Sequence, residues 1–337
     1  MTESGHDPDR SYALHGLRVH THVDEPQLGE RLHAFLVHLG LDPCREPWPA
    51  ADVELRLEAG EPSPVQAGEA WQPIPEVGIR VLWEANRVTV RDDNAAFTIE
   101  LAAGRATGVV HSARDGSPLL HMNLASYALL TLLRGHDYFP LHAAGLARRG
   151  AGVVIVADSG GGKSTLAADL LLSGWQLLSD DSLLLHPVGG SVEALALRRD
   201  LFLRPGLGPL SDSPDPEPWP DPAKVRIDAR RRFANQVTDR CRPRLLIFPE
   251  IIDQAASRLE PCTPAQALRL LTHHSLVAEL EPSRAPQHMA LLAGLVHQCA
   301  ARRLCAGRDL LAEQGLAARM LATLCDNLAP RGGAPAP

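Results

Sequence analysis

The run Ala157-Asp158-Ser159-Gly160-Gly161-Gly162-Lys163-Ser164-Thr165 constrains this chain more than any other stretch. Consecutive glycines let the backbone turn its N–H groups toward one point and approach an anion that side chains would keep at a distance. The residues before the loop, Gly152 to Ala157 (GVVIVA), form a short, continuous apolar run, the pattern of a strand buried on both faces. After the glycines, Leu166, Leu170 and Leu171 recur at helical spacing, and Gly174 marks the stop. The helix opening at Lys163 adds about half an elementary charge of positive dipole at the same spot.

The chemistry of such a loop is phosphate binding. The pattern is [AG]-x4-G-K-[ST], with Ala157 in the first position. Lys163 can reach the β- and γ-phosphates of a nucleotide, and the Ser164 hydroxyl can ligate Mg²⁺. Ser159, Gly160, Gly161, Gly162, Lys163, Ser164 and Thr165 are therefore the candidate nucleotide-binding residues. Lysine usage sharpens the point: the chain has two, Lys163 and Lys224, and every other basic side chain in its 33 Lys and Arg is arginine. A compact ammonium fits between phosphate oxygens where a broad guanidinium does not.

Asp180 and Asp181 close a strand that begins at Trp175, about one helix and one strand past the loop. In an open α/β sheet this places both carboxylates at the carboxyl edge beside the phosphates. One can coordinate Mg²⁺ opposite Ser164 while the other accepts the proton of an attacking hydroxyl. Ser-Asp-Asp-Ser is also good turn composition, and only the nearby loop tips the reading toward function.

The remainder of the chain sets the context. Its 337 residues suffice for two moderate cores. A net charge of −7 argues against a general nucleic-acid binder. The cysteines (Cys44, Cys241, Cys262, Cys299, Cys305, Cys325) show no metal-ligand spacing and read as reduced thiols. No apolar run approaches the ~20 residues needed to span a bilayer, and the polar start MTESGHDPDRSY is unlike a signal peptide. The expectation is a soluble, cytoplasmic protein without membrane or nucleic-acid partners. Its Ala/Arg/Pro-rich usage suggests a GC-rich bacterial genome.

Residues 1–120 read as a small, mostly antiparallel α+β domain of unknown role, and residues 121–330 as the catalytic domain. Residues 1–11 and the tail are expected to be disordered. His20, His22, His33 and His38 match no ligand spacing and read as solvated histidines. Asn123 to Leu133 is an apolar helix expected against the nucleotide-domain sheet. Residues 205–222 carry seven prolines in eighteen positions and form a surface loop. Lys224 and Arg226, beyond it, are candidates for holding phosphate or an acidic substrate segment, or else part of a solvated basic stretch.

The block around the loop resembles the catalytic domain of the bacterial HPr kinase/phosphorylase family, P-loop serine kinases. His142 lies fifteen residues before Ala157, the loop reads ADSGGGKS, and Asp180 lies seventeen residues past Lys163, as in that family. The likeness covers residues 135–205 well and the flanks much less. It implies an α/β P-loop kinase domain, HPr kinase/PEP carboxykinase-like with a mixed sheet, preceded by the small α+β domain. It further implies ATP and Mg²⁺ as cofactors, Asp180 as catalytic base, Asp181 as metal ligand beside Ser164, and His142 near the phosphoryl group or the base. Arg204 corresponds to the arginine of the family's E-[IV]-R-G-[IL]-G segment, but Phe202 stands where that segment has its glutamate. Asp200 is a candidate substitute. This departure weakens the case for phosphorolysis and for HPr itself as substrate.

The chain is more similar to divergent HPr-kinase-like serine kinases of bacterial gene clusters, some of which phosphorylate a modified peptide. The implied activity is transfer of the γ-phosphoryl group of ATP to a serine of a protein or modified peptide, with self-association left open. A kinase of a small hydroxylated metabolite, such as a free amino acid, and a non-catalytic nucleotide-gated regulatory module are the alternatives.

Overall fold

The computed structural model describes residues 8–45, 48, 50–64, 70–74, 78–111, 122–206, 210–211, 223–275 and 282–328. Among these the chain divides into two compact units, one reaching Tyr138 and including Pro282–Arg284, the other holding the rest.

The first unit is built on one sheet. Its strands are β1 (Asp9–Leu14), β2 (Leu17–Val23), β3 (Asp42–Cys44), β4 (Val53–Ala59), β5 (Gln72–Ile74), β6 (Ile79–Glu84), β7 (Arg87–Arg91), β8 (Ala95–Glu100) and β9 (Arg105–Val110). Their spatial order is β3-β1-β2-β4-β9-β8-β7-β6-β5. Only β2–β4 and β4–β9 pair in parallel. Strict alternation drives the sheet: Leu17, Val19, Thr21 and Val23 of β2 are buried while the residues between are half-exposed. His15 and Gly16 link β1 to β2 with φ of 49° and 93°, the left-handed pair that a two-residue hairpin requires. This hairpin buries Tyr12 and Leu14, so residues 9–11, expected to be disordered from composition, form part of a strand.

Helix α1 (Pro26–His38) starts where the Glu25 carboxylate caps the amides of Gln27 and Leu28, with proline at the first turn. It buries Leu28, Leu32, Phe35 and Leu36. Helix α2 (Met122–Arg134) packs on β8, β9 and β4. That differs from the sequence expectation in two respects: the helix belongs to the first unit, and the division falls after Tyr138 instead of near residue 120. An apolar helix does not encode which sheet it covers. His20 and His22 reach Asp9 across the β1–β2 hairpin, at 3.1 and 2.8 Å.

The second unit contains β10 (Phe139–Leu141), β11 (Ala144–Arg148), β12 (Ala151–Ile155), α3 (Lys163–Leu172), β13 (Gln176–Ser179), β14 (Leu183–Val188), β15 (Ser191–Ala196), β16 (Asp200–Leu203) and β17 (Val225–Asp228). There follow α4 (Ala229–Arg232), β18 (Arg240–Cys241), β19 (Pro243–Ile251), β20 (Arg258–Pro261), α5 (Pro264–His273), α6 (Ala285–Gln298), β21 (Ala300–Ala306), α7 (Asp309–Ala312) and α8 (Leu316–Leu328). A mixed sheet runs β13-β11-β12-β19-β21-β20, beside a four-stranded sheet β10-β14-β15-β18 and the pair β16-β17. The unit is thus α/β with mixed sheets.

β12 is buried on both faces, as its composition predicts. Val153 and Ile155 face a core shared with α3, α8 and β16, while Val154 and Val156 face a second core shared with α5, α6 and the four-stranded sheet. Arg149 and Gly150, both at positive φ, make the tight turn from β11 to β12. The apparent strand over 192–203 is two strands, broken at Leu197–Arg199, and the final helix is interrupted at Gly315, whose φ is 79°. Most of the proline-rich stretch 205–222, the segment 112–121, residues 1–7 and the tail past 328 lie outside the described residues. None of the described helices is long and apolar enough to cross a membrane. All six cysteines are free thiols.

Candidate functional site

Strand direction assembles the site. β12, β19 and β21 run parallel, and β11 runs antiparallel to both β12 and β13. The ends of β12 and β13 and the beginning of β11 therefore share one edge of the sheet. From the end of β12 springs the glycine loop, from the end of β13 come Asp180 and Asp181, and just before β11 stands His142. Three segments within forty residues meet because β11 pairs antiparallel with both β12 and β13.

Gly160 and Gly162 hold φ of 81° and 90°, values that favour glycine. A Cβ on Gly161 would come within 2.9 Å of the Ala157 Cβ, so the loop closes only around glycine there. Lys163 opens α3 with its side chain turned back into the loop, 7% exposed. Its ammonium donates to the Ala157 carbonyl at 2.5 Å and to His142 Nε2 at 3.0 Å. Burial lowers its pKa, against the pull of Asp181 and Asp180. Burial likewise lowers the pKa of His142, whose Nδ1 lies 3.4 Å from Asp181. This arrangement suits a neutral imidazole with its proton on Nδ1, donating to Asp181 while Nε2 accepts from Lys163.

The two aspartates have different surroundings because successive side chains at a strand end point to opposite sides. Asp180 is 1% exposed and accepts the Phe202 amide at 3.1 Å. Its Oδ1 is buried with no partner at hydrogen-bonding geometry. Burial pushes its pKa up to about 7, opposed first by the Phe202 amide and then by the Ser164 hydroxyl. Asp181 is more open and lies 3.3 Å from the Arg198 guanidinium. The serine of the loop thus lies by Asp180, whereas the resemblance assigned it to the metal with Asp181.

His142, Ser159 to Thr165, Asp180, Asp181 and Arg204 all line one cavity of about 600 Å³, a size common for small-molecule sites. The Arg204 guanidinium stands 3.4 Å from where a Gly160 Cβ would be, so it lies over the loop. Lys224 lines the cavity too. Asp200 and Arg226 do not appear in its lining; they pair with each other at 3.2 Å between β16 and β17. This corrects the candidacy of Asp200 as a substitute metal ligand and of Arg226 as a phosphate holder: each meets the other's charge.

Sequence reasoning missed the far wall. Arg198 and the apolar Ile251, Leu304, Leu310 and Leu311 line the same cavity. Ile251 and Leu311 are each 68% exposed, unusual for such side chains. The apolar residues come from the C-terminal parts of β19 and β21 and from α7, and carry no motif; the parallel pairing of β19 to β12 and of β21 to β19 brings them here.

The donor set fits a hard divalent cation: a serine hydroxyl and two carboxylates, one with an orphaned buried oxygen, offer oxygen ligands in reach of the loop. The arrangement gathers a glycine loop, a buried lysine and a carboxyl whose pKa burial raises to about 7 around one space.

Comparison with known proteins adds little to this geometry. A family model described as SynChlorMet cassette protein ScmC matches residues 109–197. No curated protein matches the chain. Among solved structures, the chain is similar to the Hpr(Ser) kinase/phosphatase from Coxiella burnetii, at 14% identity and a TM-score of 0.31, over 55% of this chain and 95% of that one.

Proposed function

We propose that the second unit is an ATP- and Mg²⁺-dependent kinase that transfers the γ-phosphoryl group to a serine hydroxyl of a protein or modified peptide. The observation that carries this reading is the meeting, around one cavity, of the glycine loop, the buried Lys163 and a carboxyl whose pKa lies near 7. In this reading the amides of residues 159–164 and the Lys163 ammonium bind the phosphates, releasing the ammonium from Ala157 and His142. Ser164 and Asp181 hold the metal, which neutralises charge on the phosphate oxygens when bound. Asp180 takes the proton of the acceptor hydroxyl; a base whose pKa sits near the working pH is half ready to accept and still a good donor in reverse. Arg204, over the loop, steadies charge on the transferring group.

The nearness of Ser164 to Asp180 favours a second assignment of the aspartates, with Asp180 on the metal and Asp181, oriented by His142, as base. The experiment is transfer of label from γ-labelled ATP into serine-bearing peptides and cell proteins, with Mg²⁺ titrated for Asp180→Asn and Asp181→Asn. The first assignment expects Asp181→Asn to demand more Mg²⁺ while Asp180→Asn loses turnover at saturating metal. The reverse outcome selects the second. Absence of any ATP-dependent transfer or ATP consumption in the wild-type protein rejects the kinase.

A further inference from the structure

Beside the glycine loop three other side chains converge, with Asp158 on the rim of the same cavity and the His274 ring centroid 6.0 Å from that of His142. Asp158, the second residue of the loop pattern, faces the two histidines at the end of α5. Its Oδ1 lies 3.4 Å from His273 Nε2 and 3.6 Å from His274 Nε2. The three ligand atoms all lie within 4.8 Å of one another, the one such grouping among the described residues. We propose that Asp158, His273 and His274 form a binding site for a single transition-metal ion of the zinc class.

Distances, donor type and backbone support point the same way. Ligands about 2.1 Å from a tetrahedral ion stand about 3.4 Å apart, which is the spacing of both imidazoles from the carboxylate. Two imidazole nitrogens with one carboxylate suit zinc and its neighbours and are a poor set for Mg²⁺, which prefers oxygen. The site is thereby distinct in chemistry from the oxygen donors beside Ser164. Its frame is already fixed: the His274 amide is tied to Leu270 and Leu271, its carbonyl accepts the His142 amide at 3.0 Å, and the Asp158 carbonyl accepts the Gly161 amide at 2.9 Å. His274 is nearly buried, whereas the His273 side chain is 71% exposed, its ring edge-on to that of His274. Three protein ligands leave a fourth position for water or a ligand from solution. An ion there would join the C-terminal end of α5 to the phosphate loop.

The test uses the full chain, stripped with a chelator and titrated with Zn²⁺ by calorimetry and with Co²⁺ by visible absorption, both without nucleotide. The expected result is one saturable equivalent, a tetrahedral Co²⁺ spectrum that Zn²⁺ bleaches, and at least a tenfold loss of affinity in His273→Ala and in Asp158→Asn. His273→Ala alters an exposed ring, so its unfolding curve should match that of the wild type. Absence of saturable binding near one equivalent, or wild-type affinity in His273→Ala, overturns the proposal.

Discussion

Replacing Asp180 by asparagine should make the second unit's stability far less dependent on pH. The carboxyl is raised from its ordinary 3.8 to about 7 by burial. A rise of roughly three pH units corresponds to about 4 kcal/mol at about 1.36 kcal/mol per unit. The sign follows from proton counting. Between pH 4 and 7 the folded state keeps a proton that the unfolded chain has lost, so stability falls as pH rises. The contribution is complete below pH 3.8 and gone once the pH passes about 7. Asparagine keeps an oxygen for the Phe202 amide and has nothing to ionise. Relative to the wild type, Asp180→Asn should therefore gain up to about 4 kcal/mol between pH 4 and 8. Hydrogen exchange at the Val153–Ile155 amides of β12, corrected for intrinsic rates, reads this unit separately from the other. Parallel pH curves for the two proteins would refute the reasoning, because they would mean that Asp180 titrates as a solvated carboxyl.

Further outcomes follow from single contacts. Lys163→Ala removes the ammonium at the centre of the loop and should weaken ATP binding at least tenfold by calorimetry, whereas Lys224→Ala, at the cavity's border, should cost less. Gly161→Ala drives a methyl group against Ala157, 2.9 Å away, and should abolish nucleotide binding with little change in the unfolding of the first unit. Thr263→Ala removes the capping box of α5, formed with Gln266, and should destabilise the second unit by about 1 kcal/mol in urea denaturation.

What could be read from sequence was what is locally encoded. The buried strand before the loop, the helix after it and the strand ending in Asp180 each depend on contiguous residues, and each stands within a few positions of its expected place. The meeting of His142 with the loop was expected only from the family resemblance; in the fold the β11–β12 hairpin joins them directly. Pairings between distant segments were not legible. The first unit's sheet depends on β4 running parallel between β2 and β9, partners separated by dozens of residues, and no short pattern announces it. The apolar wall at Ile251 and Leu311 likewise arises from where β19 and β21 end. Asp200 illustrates the opposite error: an acidic residue near a motif gap invites a ligand role, while Arg226 on the facing strand meets its charge. His273 and His274 sit at the end of an ordinary amphipathic helix, and their nearness to Asp158 appears only once the loop is folded.

The central claim is that the glycine loop and Lys163 hold a triphosphate facing Asp180. It is tested most directly by measuring, on the same preparations, ATP affinity by calorimetry and single-turnover phosphoryl transfer for the wild type and Asp180→Asn. The account predicts that ATP affinity stays within about twofold while transfer falls by about 10²–10⁴. Equal losses in both, or a wild-type protein that does not bind ATP, would contradict it.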